Sequence, residues 1–557
     1  MSNSMSAPAA VSRSPLAALS LVLAGLIVAF LAWSVPANLK STNPALLRAA
    51  GADTPTLGAF GRDLVDLEKI GPAALVLTAA RTIDDPRAPA LAGAIEGYAA
   101  KQPALVAWGG WDPFLDPLFN LRADSGRRVS TPVLTFLLPE KAREKLRASL
   151  ANSGSLGVQS LLKLRDLTTT GRFVPAARAG GQPLDALIAL SALLYQGERF
   201  SPSLQRELRA LAEAALEKKE LGELEPFFID LLSLGRRLDW TQLSELLKRT
   251  DSAKTVGEFA HLARVTPDQL PIIYSAALFS DSADHVASYL IQFGKNGLAD
   301  LQLALADGQG AVKQLLTRQV PVNRGASEAL TAMASFALLH QQLTLAFKYL
   351  GYALAVWLVL RGLDRAIVGP FERMLPLPAL THLRTGALSI VAAGMLVVAT
   401  EPFLLRAAPP SEFQLHLRLP VLVASSEISS PEKSQPTMIM DTSTLLSIGL
   451  FASLQVAMYL ICLVKIREIS HQSVPPLVKL RLMENEENLF DGGLYVGIAG
   501  TATALVLQVL RVIEPNLLAA YASNLFGILC VALVKIRHVR DYKRQLIMEA
   551  QAEAKVA

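Results

Sequence analysis

Four stretches of about twenty residues without a single charged side chain govern what this chain can fold into: residues 16–35, 442–464, 492–510 and 515–534. About 20 apolar residues in a helix cross the hydrocarbon core of a bilayer. In lipid each unsatisfied backbone group costs several kcal/mol, so such a run crosses as a complete helix. Two further runs, 343–360 with Lys348 inside it and 385–400 ending at Glu401, bring the expected spans to six. Lys348 is read as a lysine snorkelling from a helix end and Glu401-Pro402 as an exit from the bilayer. The apolar core of 16–35 is longer than the roughly 7–15 residues of a signal-peptide core, so this run is read as an uncleaved anchor.

Charge is segregated along the chain. Hydrophobic residues make up 51% and charged residues only 18%, and the charged ones gather between the first run and Phe336. The net charge of +5 does not point to nucleic acid, because the late basic residues stand at the ends of apolar runs, where cytoplasmic anchors belong. Arg361, Arg365, Arg373 and Arg384 follow the second run, Lys465, Arg467, Lys479 and Arg481 the fourth, and Lys535, Arg537, Arg540, Lys543 and Arg544 the sixth. Placing all three groups in the cytoplasm gives a consistent alternation. The N-terminus is then inside, the large polar region on the opposite side of an inner (cytoplasmic) membrane, and the C-terminus inside.

The expected fold is therefore a mainly α polytopic membrane protein with about six transmembrane helices and a large exported helix-rich domain. Its segments are a cytoplasmic tail and anchor at 1–37, an exported subdomain at 38–182, an exported helical domain at 183–342, and two membrane helices at 343–405. An exported loop at 406–441, three membrane helices at 442–536 and a cytoplasmic tail at 537–557 follow. Within 38–182 the apolar stretches 73–78 and 131–138 read as strands, which makes a small α/β or α+β unit the expectation there. After Pro183 helical periodicity takes over, with short helices expected at 227–234, 241–248, 256–265, 267–279, 284–293 and 298–306. They suit a helical bundle or an irregular solenoid. Residues 412–419 alternate polar and apolar side chains and read as a strand.

Cys462 and Cys530 are the only cysteines, both in apolar runs, so the polar region holds no disulfide and no cysteine-based metal site. The seven histidines never adopt HxH or HExxH spacing. Asp281, Asp284 and His285 could supply metal ligands or an acid–base pair, but acidic residues before a helix more often cap it. Gly308-Gln-Gly-Ala-Val-Lys313 imitates a phosphate loop and reads as a helix break. Trp108-Gly-Gly-Trp111-Asp-Pro113 surrounds flexible backbone with two large aromatics; it is a ligand platform, a segment that dips into the bilayer surface, or a turn whose tryptophans close the domain, and the turn is preferred. Glu484, Glu486, Glu487 and Asp491 suit the positive end of the following helix dipole. No cofactor or metal is expected.

The last two runs carry packing chemistry. Gly493, Gly497 and Gly500 form a small-residue face, as do Ala519, Ser523 and Gly527. Tyr495-Val-Gly-Ile-Ala-Gly-Thr501, followed by Asn524-Leu-Phe-Gly527 and the basic exit Lys535-Ile-Arg537, resembles the last two membrane helices of the MotA/TolQ/ExbB family over residues 491–540. That resemblance implies a proton-driven motor channel working with a partner subunit, and Thr501 and Asn524 as pore-facing residues.

Two functions compete on these features. The leading one is a non-enzymatic membrane protein whose exported domain binds a protein or envelope component and whose membrane helices assemble with themselves or a partner. The other is a transporter or channel subunit, of a proton-driven motor complex if the family resemblance holds. Both require the same topology. Single cysteines at Ser155, Ser282 and Ser429, in a background lacking Cys462 and Cys530, are expected to react with an impermeant thiol reagent in intact cells. One at Ser473 should react only after permeabilisation. Labelling of Ser473 but not Ser282 in intact cells would invert the topology.

Overall fold

A computed structural model describes residues 15–123, 126–326, 329–367, 378–401, 404, 442–509 and 517–556. All regular structure among them is helical apart from two isolated bridges, Thr42 to Val322 and Thr169 to Glu220. The chain divides into two units: one built from residues before Thr42 and after Arg324, the other from Thr42–Arg324.

In the first unit, three helices are long and apolar enough to cross a membrane: Leu16–Ser34, Gln341–Ala366 and Tyr521–Ala552. Helices also occupy Pro378–Thr400, Thr442–Ser470 and Gly492–Val509. The N-terminal helix, Pro15–Ser34, lies antiparallel to Gln341–Ile367. Three glycines permit their approach: Gly25 faces Ala355 and Val359, Gly351 faces Ala32, and Gly362 faces Ala18 and Val22. A Cβ on Gly25 would lie 2.8 Å from the Ala355 carbonyl oxygen, so the contact needs a residue without a side chain.

The second unit is a helical assembly around one contiguous core that runs from Leu47 to Val322 and includes the fully buried Phe228, Trp240, Phe259, Tyr274 and Phe279. Two stretches expected as strands are helices here. Residues 73–78 lie within Ile70–Thr82, where Ala73, Val76, Ala79 and Ala80 are buried at helical spacing, and Val133–Leu137 buries Val133, Leu134 and Leu137. A short, unbroken apolar run has the same composition in a buried strand as in a buried helix, and a strand also needs a neighbour for its hydrogen bonds. The expected strand at 412–419 lies outside the described residues.

The periodic helices appear where the sequence places them: Leu224–Gly235, Trp240–Leu247, Ala253–Val265 and Leu270–Ser280. The two expected at 284–293 and 298–306 join into Ala283–Asp307, which is kinked at Gly294. Gly308, with φ of 116°, breaks the chain between this helix and Gln309–Arg318, as the helix-break reading requires.

The two ends of the second unit are fastened side by side. Thr42 N–H donates to Pro321 O at 2.9 Å and Asn323 N–H to Thr42 O at 2.8 Å. Buried Asp300 accepts from Val322 N–H, the Tyr289 hydroxyl and Arg324, each at 3.0 Å. A second buried carboxylate, Asp239, caps Trp240–Leu247 in a reciprocal capping box with Gln242 and accepts from the Ser130 hydroxyl at 2.6 Å.

Burial outweighs these hydrogen bonds and pushes the Asp239 carboxyl up to about 6. Between its ordinary value of 3.8 and about 6, the folded chain holds a proton that the unfolded chain has released. This group's contribution to stability therefore falls as pH rises through that window, costs roughly 3 kcal/mol above it, and is relieved below it. Asp307 is also pushed up to about 6 by burial and adds to the same slope. Thermal unfolding of Asp239→Asn followed from pH 4 to pH 7 should show a shallower loss of stability than the parent. An unchanged slope would contradict the protonated buried carboxyl.

Candidate functional site: a buried ion pair and a helix crossing

The most unusual chemistry in the first unit is a charged pair with almost no solvent contact. The Lys348 and Glu401 side chains are 2% and 0% exposed, with Lys348 Nζ 3.2 Å from Glu401 Oε1. Lys348 sits two turns into Gln341–Ile367, and Glu401 directly follows Pro378–Thr400. The chain just after Pro15–Ser34 supplies the remaining partners. Lys348 Nζ donates to Ala37 O at 2.6 Å and to Asn38 Oδ1 at 2.5 Å, and Leu39 N–H donates to Glu401 Oε2 at 3.2 Å. The Tyr349 hydroxyl donates to Glu401 Oε1 at 3.1 Å. Asn38 is oriented in turn by its own bond from Nδ2 to Ser41 Oγ at 3.1 Å.

Three helix ends thus meet on one ion pair, and both charges are well supplied with hydrogen bonds. Desolvating two charges costs several kcal/mol each, which their mutual attraction offsets only with such partners in place. Lys348 is buried against the linker and does not snorkel; the sequence expectation missed its pairing. Ionisable groups on helices of this kind are rare and mark positions with a specific job.

The residues nominated from the sequence meet at a second place, where Thr442–Ser470, Gly492–Val509 and Leu517–Ala532 pack together. Gly497 lies against Ser523, Asn524 and Gly527, and a Cβ on Gly527 would lie 2.6 Å from the Gly493 carbonyl oxygen. Gly500 packs on the Ser523 side chain and on Phe451. The Ser523 and Thr501 hydroxyls both donate to Gly497 O, at 3.2 and 3.0 Å, and Gln455 Nε2 donates to Gly493 O at 3.1 Å. The small faces are therefore occupied by contacts within the chain. Gln455 Oε1 and Asn524 Oδ1 are shielded and have no donor among the described residues. Nearby, the helix after Ala532 loosens into a π-helical stretch, Leu533–Val539. Its Lys535 pairs with Asp491 at 2.7 Å, and the His538 Nε2 lies 2.9 Å from the Tyr459 hydroxyl. The acidic residues before Gly492 thus answer lysines: Glu486 is 3.4 Å from Lys465 and Glu487 is 4.0 Å from Lys535.

In the second unit, Asp281, Asp284 and His285 do not converge. Asp284 ties the start of a neighbouring helix, accepting from Asp251 N–H at 2.8 Å and the Thr255 hydroxyl at 2.5 Å. Asp281 pairs with Arg249, and Ser282 caps the helix that carries His285. Among the described residues no group of His, Cys, Asp and Glu is arranged to hold a metal ion.

No family model, curated protein or solved structure matches this chain. Fold and site together define a mainly helical protein with, among the described residues, three helices long and apolar enough to span a membrane.

The ion pair yields a direct test. Lys348→Met leaves Glu401 buried without its cation and should cost about 3–5 kcal/mol, whereas Lys348→Met with Glu401→Gln should recover most of that loss. Unfolding of the detergent-solubilised chain measures both. A single variant no less stable than the double variant would contradict the buried pair.

Proposed function

We propose that this chain is a non-enzymatic inner-membrane protein with six membrane helices. It displays Thr42–Arg324 on the face opposite the cytoplasm, where that unit binds a protein or envelope component. The observation that carries the reading is the antiparallel pairing of Pro15–Ser34 with Gln341–Ile367, into which the helical unit is inserted as a single body. A chain that enters and leaves a domain at one point, between two paired helices, is built to present that domain at a membrane surface.

The unit offers a surface suited to a polypeptide. An open groove of about 520 Å³ runs between Ala253–Val265 and Ala283–Asp307, lined by Lys254, Glu258, Ser288, Ile291 and Gln292 among others. Its mixture of both charges, amide and one aliphatic side chain matches the polar, adaptable character of non-obligate interfaces. Assembly of the membrane helices would use outward residues such as Tyr521, Leu525, Ile528 and Leu529, since the glycine faces are already filled.

Photo-crosslinking residues introduced at Ser288 and Gln292 in intact cells should give a discrete adduct, while the same residue at Lys145 or Lys219 should not. An adduct of twice the chain mass would identify a second copy as the partner. Equal labelling from all four positions, or none from the groove together with a monomer in detergent, would overturn the reading.

A further inference from the structure

The Trp108-Gly-Gly-Trp111-Asp-Pro113 segment lines a cavity apart from the groove between Ala253–Val265 and Ala283–Asp307. Gly109 and Gly110 adopt φ of 83° and 135°, and a Cβ on Gly110 would fall on the Glu68 carbonyl oxygen. The loop is thereby pressed onto the Leu67–Lys69 turn, with Trp111 N–H donating to Glu68 O at 3.2 Å. Trp108 turns inward and stacks on Phe136 with ring centroids 3.9 Å apart. Trp111 turns the other way and walls a cavity of about 140 Å³, together with Leu67, Pro113, Lys69, Arg199 and Ser244. Its ring is held in place by a bond from Nε1 to Asp116 at 3.4 Å and by the Arg122 guanidinium, 5.8 Å from the ring centroid.

The charges around this cavity are unequally committed. Of its two carboxylates, Asp112 accepts from the Trp240 indole at 2.8 Å, from Arg199 at 2.7 Å and from two backbone N–H groups. Glu245 pairs with Lys69 at 2.9 Å through one oxygen and with Arg249 at 2.8 Å through the other. The cations keep donors in reserve. An ammonium carries three N–H bonds and a guanidinium five, and Lys69 has one carboxylate partner and Arg199 one where they line the cavity. Lys248 is held below the usual lysine range by burial and then by Arg199, with Glu245 opposing and Lys69 and Arg249 adding to the effect.

We propose that this cavity is a binding site for a small organic acid, its anionic oxygens seated on Lys69 and Arg199 and its apolar part against Trp111, Leu67 and Pro113. At about 140 Å³ the cavity is smaller than a drug-sized pocket and suits a group of a few heavy atoms. Preformed walls, an aromatic face and a few convergent charged donors are the ordinary composition of a small-molecule site. Carboxylate and phosphate share the required chemistry, and the titration separates them.

The test uses the full chain in detergent, titrated with acetate, succinate and inorganic phosphate against chloride at equal ionic strength. Tryptophan fluorescence and thermal unfolding are both read. Acetate or succinate should produce a saturable change with a midpoint below about 1 mM, and a response to phosphate alone would overturn the organic acid. Lys69→Gln should weaken it by roughly tenfold or more, Lys69→Arg should stay within about threefold, and Lys145→Gln, which does not line the cavity, should leave it unchanged. Trp111→Phe should keep the thermal shift and lose the fluorescence change. No response beyond chloride, an equal response in Lys69→Gln and the parent, or a fluorescence change that survives Trp111→Phe would each overturn the proposal.

Discussion

The antiparallel contact between Pro15–Ser34 and Gln341–Ile367 joins segments from opposite ends of a long insertion. Closing so long a loop costs only a little more than closing a short one, because the entropic penalty grows with the logarithm of its length. What the contact does require is close approach, and Gly25, Gly351 and Gly362 provide it along the whole interface. Dispersion between backbones this close replaces the hydrophobic drive that two apolar helices lack in lipid.

The ion pair at one end of that interface is a different kind of device. Packing between smooth apolar helices tolerates sliding, since one aliphatic contact exchanges for another at little cost. Lys348 permits no such exchange, because moving it by one turn would part its ammonium from the Ala37 carbonyl and leave the Glu401 carboxylate without its cation. Whatever its net energy, the pair specifies one register for three helix ends.

Much of this was legible in the sequence, and what was not had physical reasons. The helices from Leu224 to Ser280 are announced by apolar residues at 3.6-residue spacing, and the crossing at Gly497 and Gly527 by small residues four apart. Residues 73–78 misled because an unbroken apolar run carries no period. Glu401 gave no sign of its partner: the lysine lies on another helix, and a single sequence does not reveal which distant positions touch. The aromatic segment around Trp111 was visible, but its cations come from Lys69 and Arg199 on separate elements, which only folding brings together.

The bridge between Thr42 and Val322 has a mechanical consequence. The pairing is parallel, so the tether to the N-terminal helix leaves from one end of it and the tether to Gln341–Ile367 from the other. Opposed tension on the two arms would load these bonds in shear, all at once, and would not peel them open singly. Asp300, gripping Val322 and Arg324 from the core side, anchors the second arm directly into the body of the unit. Drawing the two arms apart therefore meets the paired backbone bonds and the buried carboxylate together.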